Sequence, residues 1–406
     1  MKLPVVNIDL PLPCFPPNMQ FIQLPDWAQD LGENGHILIP SEYLQAGEHA
    51  EWQRTDWWAV AFWYLNGLPE RAFEETHGEI HSYSFRLKHW DDRMWQKPWV
   101  NHIALFLRRW AAVHLRQDET SLFGKRPEAE IILTHDVDAV TKTLKIRLKQ
   151  AAFHKFNALK LLLQGKFNLS AKKMMQMFEV TFRKDNYWCF EQIRQWENQH
   201  GLRSIFNFYG GYNRQNATIK KQIIDPDYDV GADKISKEIR SLLKDGWEIG
   251  LHQSYDAWRS VENMQTERAY LEAAAGQPIT SCRQHWLMFS WRKTWEAQEQ
   301  AGLKLDTTLG FNNRPAFRSA AALRYAPWSF TENRPMTIEV IPLVLMDSHL
   351  YDYQQFNADE RQQVMQKWID AIKSVGGVAT VVWHQRVMSR DYGWDESYKA
   401  LLKMVT

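Results

Sequence analysis

The chain has 406 residues, of which 45% are hydrophobic and 24% charged, so it can form one large globular domain or two smaller ones. Its net charge of +1 argues against nucleic-acid binding by the chain as a whole. Its three cysteines form neither a CxxC metal motif nor a disulfide framework, which favours a reducing compartment.

Neither the N-terminal stretch nor the apolar runs are typical of membrane insertion. MKLPVVNIDLPLPCF interrupts its apolar residues with Asp9 and prolines, so it lacks the continuous apolar core of a signal peptide. The longest apolar run, at 57–65, is far shorter than the ~20 residues that span a bilayer. We therefore expect a cytoplasmic protein with no transmembrane helix.

Residues 1–125 predict an N-terminal region that is mainly helical and rich in Trp. The stretches TDWWAVAFWYLNGLPERAF and WVNHIALFLRRWAAVHL are typical of buried or amphipathic helices. Trp stripes of this kind pack in a core more commonly than they form a platform for sugar rings, so we expect a Trp-rich core here.

From residue 126 onward, short β-rich runs alternate with amphipathic helices. Helices are predicted at 233–245, ended by Gly246, and from Asn357 to Gly376. The alternation predicts a second domain over 126–406, of α/β class, with a mostly parallel sheet. The strand candidates are 130–134, 204–208, 248–252, 279–283, 303–307, 337–345 and 378–384.

A long segment at 141–184 interrupts this domain after its first strand. It carries eleven Lys or Arg and a single acid, Glu179, interleaved with Leu, Phe and Met. Two interpretations remain open. The segment is either a solvated helical hairpin packed over the domain, or a basic amphipathic surface that contacts an anionic membrane or a lipid-linked glycan, which would make the protein peripheral at a membrane.

Polar residues stand at the ends of most strand candidates. In EIILTHDVDAV, Asp136 and Asp138 follow a buried strand, and two carboxylates this close are costly unless they share a cation or a proton. The carboxyl ends of the strands converge at one mouth in a β/α barrel. We therefore expect a site there, formed by the residues that close or follow the strands: Asp136, Asp138, His252, Arg283, Asp306, Asp347 and His384.

Five ordered motifs over residues 130 to about 394 resemble those of the NodB-like polysaccharide deacetylases of carbohydrate esterase family four. They are THDVD, GLHQSYDAW, CRQHW, LDTTLG and VVWH. The resemblance implies a distorted (β/α)7 barrel that holds a divalent metal, with zinc as the first candidate. It also implies a hydrolase that removes an N-acetyl or O-acetyl group from a sugar or a surface-glycan precursor.

The same resemblance implies roles for individual residues. Asp136 would be the general base, oriented by Arg283. His384 would be the general acid, tuned by Asp306. Asp138 and His252 would bind the metal, and Asp256 stands where the family has its second metal-binding His. Asp256 is therefore the candidate third ligand, and the alternatives are a surface aspartate that only caps a turn, a water ligand in its place, or loss of the metal.

Three residues are candidates for contact with the sugar: His285, Trp286 and Tyr255. For His285 the end of a strand is an equal interpretation, and for Trp286 buried packing is at least as good. His135, beside the carboxylates, is expected to support the site or to pack rather than to bind a ligand.

The predicted function is a metal-dependent, deacetylase-like hydrolase with a carbohydrate or lipid-linked glycan as substrate. Two alternatives come from other classes. Because Asp256 replaces the second metal-binding His of the family, the first alternative is a metal-free homologue that binds glycans or acts as a scaffold. The sequence Asp136-Val137-Asp138 could instead be the DxD motif of a glycosyltransferase, although that interpretation leaves His252 and His384 without roles.

Overall fold

The computed structural model of the protein describes residues 14–163, 165, 167–182, 186–211, 223–354 and 356–406. Its N-terminal region is mainly helical, as predicted, and also contains a small antiparallel sheet. Buried Trp side chains dominate its hydrophobic core, which also includes residues of the remaining chain such as Phe311 and Val375. Its elements are β1 (Met19–Gln23), β2 (His36–Pro40), α1 (Glu51–Arg54), α2 (Trp57–Leu65), α3 (Leu68–His77), α4 (Trp99–Leu115) and α5 (Glu119–Phe123).

A parallel sheet of eight strands forms the centre of the remaining chain, in the order β10-β7-β6-β5-β4-β3-β12-β11. The predicted α/β class with a parallel sheet is confirmed. The short strands β8 and β9 pair separately with each other. In chain order the strands are β3 (Glu130–Val137), β4 (Ile205–Tyr209), β5 (Glu248–Gln253), β6 (Ser281–Gln284), β7 (Leu305–Asp306), β8 (Trp328–Ser329), β9 (Arg334–Pro335), β10 (Glu339–Val340), β11 (Leu343–Met346) and β12 (Val378–Val382).

The sheet is curled because its two edge strands are almost continuous in the sequence. β10 and β11 lie at opposite edges, yet only Ile341 and Pro342 separate them. The Ile341 amide donates to the Asp306 carbonyl of β7 at 3.0 Å, and the Thr380 amide of β12 donates to the Pro342 carbonyl at 2.8 Å. So short a link joins the two edges only if they lie side by side. The predicted distorted (β/α)7 barrel is confirmed, with the candidate at 337–345 divided into two strands.

The segment at 141–184 contains two helices, α6 (Leu144–Leu163) and α7 (Phe167–Phe182). They form an antiparallel hairpin and pack chiefly against each other. At their contact, the Ser170 hydroxyl donates to the Ala158 carbonyl at 2.8 Å. Within the described ranges, every helix of the chain is too short or too polar to cross a lipid bilayer.

The other helices follow the strands and cover the sheet. The two helices with readable ends form as predicted: Gly246 takes a positive φ of 90° after the first, and Asn357 and Glu360 form a reciprocal capping box at the start of the second. The helices are α8 (Phe190–Gln199), α9 (Asp233–Lys244), α10 (Val261–Ala275), α11 (Thr294–Gln300), α12 (Asp347–Tyr351), α13 (Ala358–Ser374) and α14 (Asp395–Val405).

A buried carboxylate, Glu197 of α8, joins the helical layer to the sheet. It accepts hydrogen bonds from the Tyr398 hydroxyl at 2.6 Å, the Ser204 hydroxyl at 2.9 Å and the Trp247 indole at 2.5 Å. The Nε2 atom of His135 lies 2.9 Å away. Burial would raise the pKa of Glu197, but these donors hold the pKa below its ordinary value. His135 thus lies in a structural network on the outer side of β3.

Replacing this carboxylate should destabilise the fold. Glu197→Ala leaves four buried polar groups without their acceptor, so we expect the free energy of unfolding to fall by about 3 kcal/mol. Urea denaturation followed by Trp fluorescence measures the change. Glu191→Ala on the same helix is the matched control. Glu191 is exposed and pairs with Arg194 at 2.9 Å, so its loss should cost less than about 0.5 kcal/mol. Equal losses would contradict the role of Glu197.

Candidate active site

The polar residues at the strand ends converge at the carboxyl edge of the sheet, as the barrel prediction requires. Asp136 lies near the end of β3 and is in register with Asn207 of β4. His252 of β5 is in register with Arg283 of β6. All four side chains are buried. Asp136 and Asn207 are level with Gly250, so His252 and Arg283 lie two residues further toward the carboxyl ends of the strands.

Asp136 is held by an amide and a guanidinium. The Asn207 Nδ2 atom donates to its Oδ1 at 2.9 Å, and the Arg283 Nη1 atom lies 3.4 Å from the same oxygen. Burial would raise the pKa of Asp136, but Arg283 and the nearby imidazoles outweigh burial and hold the pKa below its ordinary value. Asp136 is therefore ionised at neutral pH. The predicted pairing of Asp136 with Arg283 is present in the structure.

Three potential metal ligands meet beside Asp136. The His252 Nε2 and His285 Nδ1 atoms are 2.7 Å apart, and the Asp138 Oδ1 atom lies 3.3 Å from the first and 3.5 Å from the second. Within the described residues, this buried oxygen has no hydrogen-bond partner of good geometry. Ligand atoms of a tetrahedral zinc lie about 3.4 Å apart, which matches the two separations from Asp138 Oδ1, whereas the 2.7 Å separation of the two imidazoles is that of a hydrogen bond. The three atoms are close enough together to hold one divalent ion.

The hydrogen bonding of His285 points its lone pair into this cluster. Its Nε2 atom lies 3.2 Å from the Ile224 carbonyl, which can only accept, so Nε2 carries the proton and Nδ1 is free to bind a cation. Burial lowers the pKa of His285 to about 3, which keeps the ring neutral. If His252 Nε2 carries a proton, it can donate a hydrogen bond to His285 Nδ1, but Asp138 Oδ1 is then left without a donor. A metal ion would instead be coordinated by all three atoms.

Arg386 holds the other oxygen of Asp138. The Arg386 Nη1 atom lies 2.5 Å from Asp138 Oδ2. Burial would raise the pKa of Asp138, but Arg386 and the surrounding imidazoles hold the pKa well below its ordinary value. Asp138 is thus an ionised carboxylate that offers one oxygen, Oδ1, to a metal.

His384 follows β12 and is paired with Asp347, the first residue of α12. Its Nδ1 atom lies 2.9 and 3.0 Å from the two carboxylate oxygens of Asp347, and its backbone amide donates to the same group at 2.6 Å. Burial would lower the pKa of His384, but Asp347, with help from the carboxylates of the site, raises the pKa to about 9. The imidazole is therefore protonated at neutral pH.

The partner of His384 differs from the prediction, which assigned this role to Asp306. Asp306 instead accepts hydrogen bonds from the Trp295 indole and the Gln298 amide, both at 3.0 Å, and from Thr308. Burial raises its pKa. Because β7 is short and its end is covered by α11, the carboxylate of Asp306 is used to anchor that helix.

The remaining candidates lie around the cluster. Asp256 is partly exposed, precedes the 3-10 turn at 257–259, and is not brought into the group of three ligand atoms. Tyr255 is partly buried beside it, and its backbone amide donates to Asp225 at 2.8 Å. Trp286 is 42% exposed and has a positive φ of 57°. A bulky residue held in this unfavourable conformation next to His285 is typical of a functional site.

Sequence reasoning overlooked two residues of the site, Asn207 and Arg386, and the partner of a third, Asp347. Asn207 is a polar residue inside the apolar run SIFNF, and such an interruption of a buried strand could have identified it. Asp347 was noted at a strand end but was given no partner. Arg386 follows His384 by two residues, and nothing in VVWHQR distinguishes it from a surface arginine.

Comparison with known proteins finds matches among solved structures only, since the sequence matches no family model and no curated protein. A Mycobacterium smegmatis protein named as a polysaccharide deacetylase is 15% identical, with a TM-score of 0.41 over 70% of this chain and 84% of that one. A polysaccharide deacetylase from Bacillus cereus is 9% identical, with a TM-score of 0.34 over 68% and 87%. A family-four pseudoenzyme from Bacillus anthracis is 9% identical, with a TM-score of 0.30 over 69% and 62%. Two of these proteins are named as polysaccharide deacetylases and the third as a family-four pseudoenzyme, and each is at most 15% identical to this chain.

The geometry of the cluster predicts its metal ligands. Asp138→Asn, His252→Ala and His285→Ala should each weaken zinc binding by more than about 100-fold, because each removes one of three convergent ligand atoms. Isothermal titration of the metal-free protein with zinc measures the affinity.

Two matched aspartate variants are the controls for that titration. Asp136→Asn and Asp256→Ala should retain zinc affinity within about threefold, since neither residue belongs to the group of three. A large loss in Asp256→Ala with no loss in His285→Ala would instead make Asp256 the third ligand.

Proposed function

We propose that the protein is a metal-dependent hydrolase that removes an acetyl group from a sugar or glycan precursor by cleaving an amide or ester bond. The observation that carries the proposal is the grouping of three kinds of side chain at one barrel mouth. These are a convergent ligand set, an ionised carboxylate beside it, and an imidazole whose charge is stabilised by a second carboxylate.

Asp138, His252 and His285 would hold the divalent ion. When bound there, such an ion acidifies a water molecule and polarises the acetyl carbonyl. Asp136 accepts the proton of the attacking water, since its carboxylate is ionised and its orientation is set by Asn207 and Arg283.

His384 donates a proton to the leaving nitrogen or oxygen of the sugar. The proton is carried by Nε2, because Nδ1 is engaged by Asp347. Nε2 lies 3.7 Å from Asp138 Oδ2, so it faces the ligand cluster. The Asp347 carboxylate both fixes the ring and keeps it protonated.

Trp286 is the best placed candidate for stacking on a sugar ring. It is the exposed aromatic residue next to the ligand His285, and its backbone carbonyl accepts a hydrogen bond from Asn312 at 2.6 Å. Tyr255, after β5, would contact the sugar from the neighbouring strand.

The alternatives receive less support from the side chains. The metal-free interpretation depended on the missing second His, and His285 offers a ligand in its place. The glycosyltransferase interpretation needs Asp136 and Asp138 to bind one metal together, whereas Asp136 is engaged by Arg283 and Asn207.

Acetate release from N-acetylated and O-acetylated oligosaccharides tests the proposal. Asp136→Asn and His384→Ala should each lower kcat by roughly 10²- to 10⁴-fold without loss of zinc, because each removes a proton-transfer group. A zinc-loaded protein that releases no acetate from either substrate class would contradict the proposal.

The pH dependence of kcat/KM tests the role of Asp347. His384 must be protonated to act as the acid, so activity is lost as pH rises through its pKa. Asp347→Asn removes the charge that raises this pKa, and the alkaline limb should therefore move to lower pH. Asp306→Asn is the control and should lower the melting temperature without moving that limb. If the alkaline limb moved in Asp306→Asn but not in Asp347→Asn, Asp306 would be the residue that tunes His384, as the sequence predicted.

A further inference from the structure

The hairpin of α6 and α7 presents large apolar side chains to solvent. Their spacings of three, four or eight residues match the helical period, so on each helix they lie along one side and form an exposed stripe. Phe156 and Phe167 are each 67% exposed, and Leu163 is 81% exposed. The stripe of α6 comprises Leu144, Leu148, Phe156, Leu159 and Leu163, and that of α7 comprises Phe167, Met175, Phe178 and Phe182.

The two stripes lie on the same side of the hairpin. The helices contact each other through the positions of Ala158 and Leu161 on α6 and of Ser170 on α7, which are buried. Successive residues turn by about 100° around the helix axis. Viewed from the N-terminus of each helix, the exposed stripe is therefore rotated away from the buried positions in the same direction on α6 and on α7. Because the helices are antiparallel, this places both stripes on one face, which we call the apolar face.

The hairpin also carries a large excess of positive charge. Its two helices contain seven Lys or Arg and one acid, Glu179. Lys155 is exposed at the edge of the apolar stripe of α6. A partner of this hairpin must therefore be both apolar and anionic.

We propose that the apolar face docks on the surface of an anionic phospholipid bilayer. Such a surface accepts Phe and Leu side chains into its acyl boundary while its headgroups attract Lys and Arg, which is how basic amphipathic helices bind. Nucleic acid would use the charge but would leave eleven large apolar side chains of the hairpin in water.

Docking would bring the barrel mouth close to the bilayer. α6 starts shortly after β3, the strand that contains Asp136 and is followed directly by Asp138. Lys173 of α7 interacts electrostatically with Asp352, which also interacts with His384 of the site. The docking surface does not depend on the hydrolase activity, because none of its residues belongs to the site.

Sedimentation of the full chain with lipid vesicles tests the proposal. The protein should bind vesicles that contain about 30% phosphatidylglycerol in phosphatidylcholine, and release should follow as salt rises. Phe156→Ser, Leu163→Ser and Phe167→Ser combined should weaken binding by more than about tenfold. Lys155→Glu should weaken it by about fivefold or more.

Phe85→Ser is the matched control, since Phe85 is 61% exposed in the N-terminal region and should not affect binding. Circular dichroism checks that each variant is folded. Equal binding to pure phosphatidylcholine, or wild-type binding by the triple variant, would overturn the proposal. So would tighter binding to a polynucleotide than to vesicles, or self-association of the chain that the triple variant abolishes.

Discussion

Ile341 and Pro342 join two strands that lie at opposite edges of an eight-stranded sheet, and the contacts across the mouth of the site depend on this connection. With its edges brought together, the sheet curls, and the carboxyl ends of its strands point into one mouth. In a flat sheet, Asp138 after β3 and His285 after β6 would be separated by two intervening strands. In the curled sheet, their ligand atoms are 3.5 Å apart.

The mouth concentrates buried charge, and its composition explains why this charge is tolerated. The carboxylates of Asp136 and Asp138 are each matched by a guanidinium, from Arg283 and Arg386 respectively. His384 is matched by Asp347. Pairing of each ion offsets the cost of its desolvation. Among the described side-chain atoms, Asp138 Oδ1 is a buried oxygen without a partner of good geometry, and it faces the ring nitrogens of His252 and His285.

The N-terminal region contributes to the site by holding the loop after β6. The Trp291 indole donates to the buried carboxylate of Glu70 at 2.7 Å, and the Ser82 hydroxyl donates to the Leu287 carbonyl. Glu70 also pairs with Arg318 at 2.7 Å, with both side chains buried. These contacts fix the chain that follows His285 and Trp286. The strained backbone of Trp286 is thereby supported by residues more than 190 positions earlier in the sequence.

Local patterns in the sequence determined the class of fold and most of the site. Strand and helix alternation predicted the parallel sheet, and the polar residues at the strand ends predicted that Asp136 and Asp138 lie at one mouth. Only the tertiary structure decided which groups are partners. Asp306 and Asp347 both stand at strand ends, and His285 and Asp256 are both plausible ligands. Which member of each pair takes the role depends on how far the sheet curls and on which helix covers each strand end. Both features are set by packing between residues far apart in the chain.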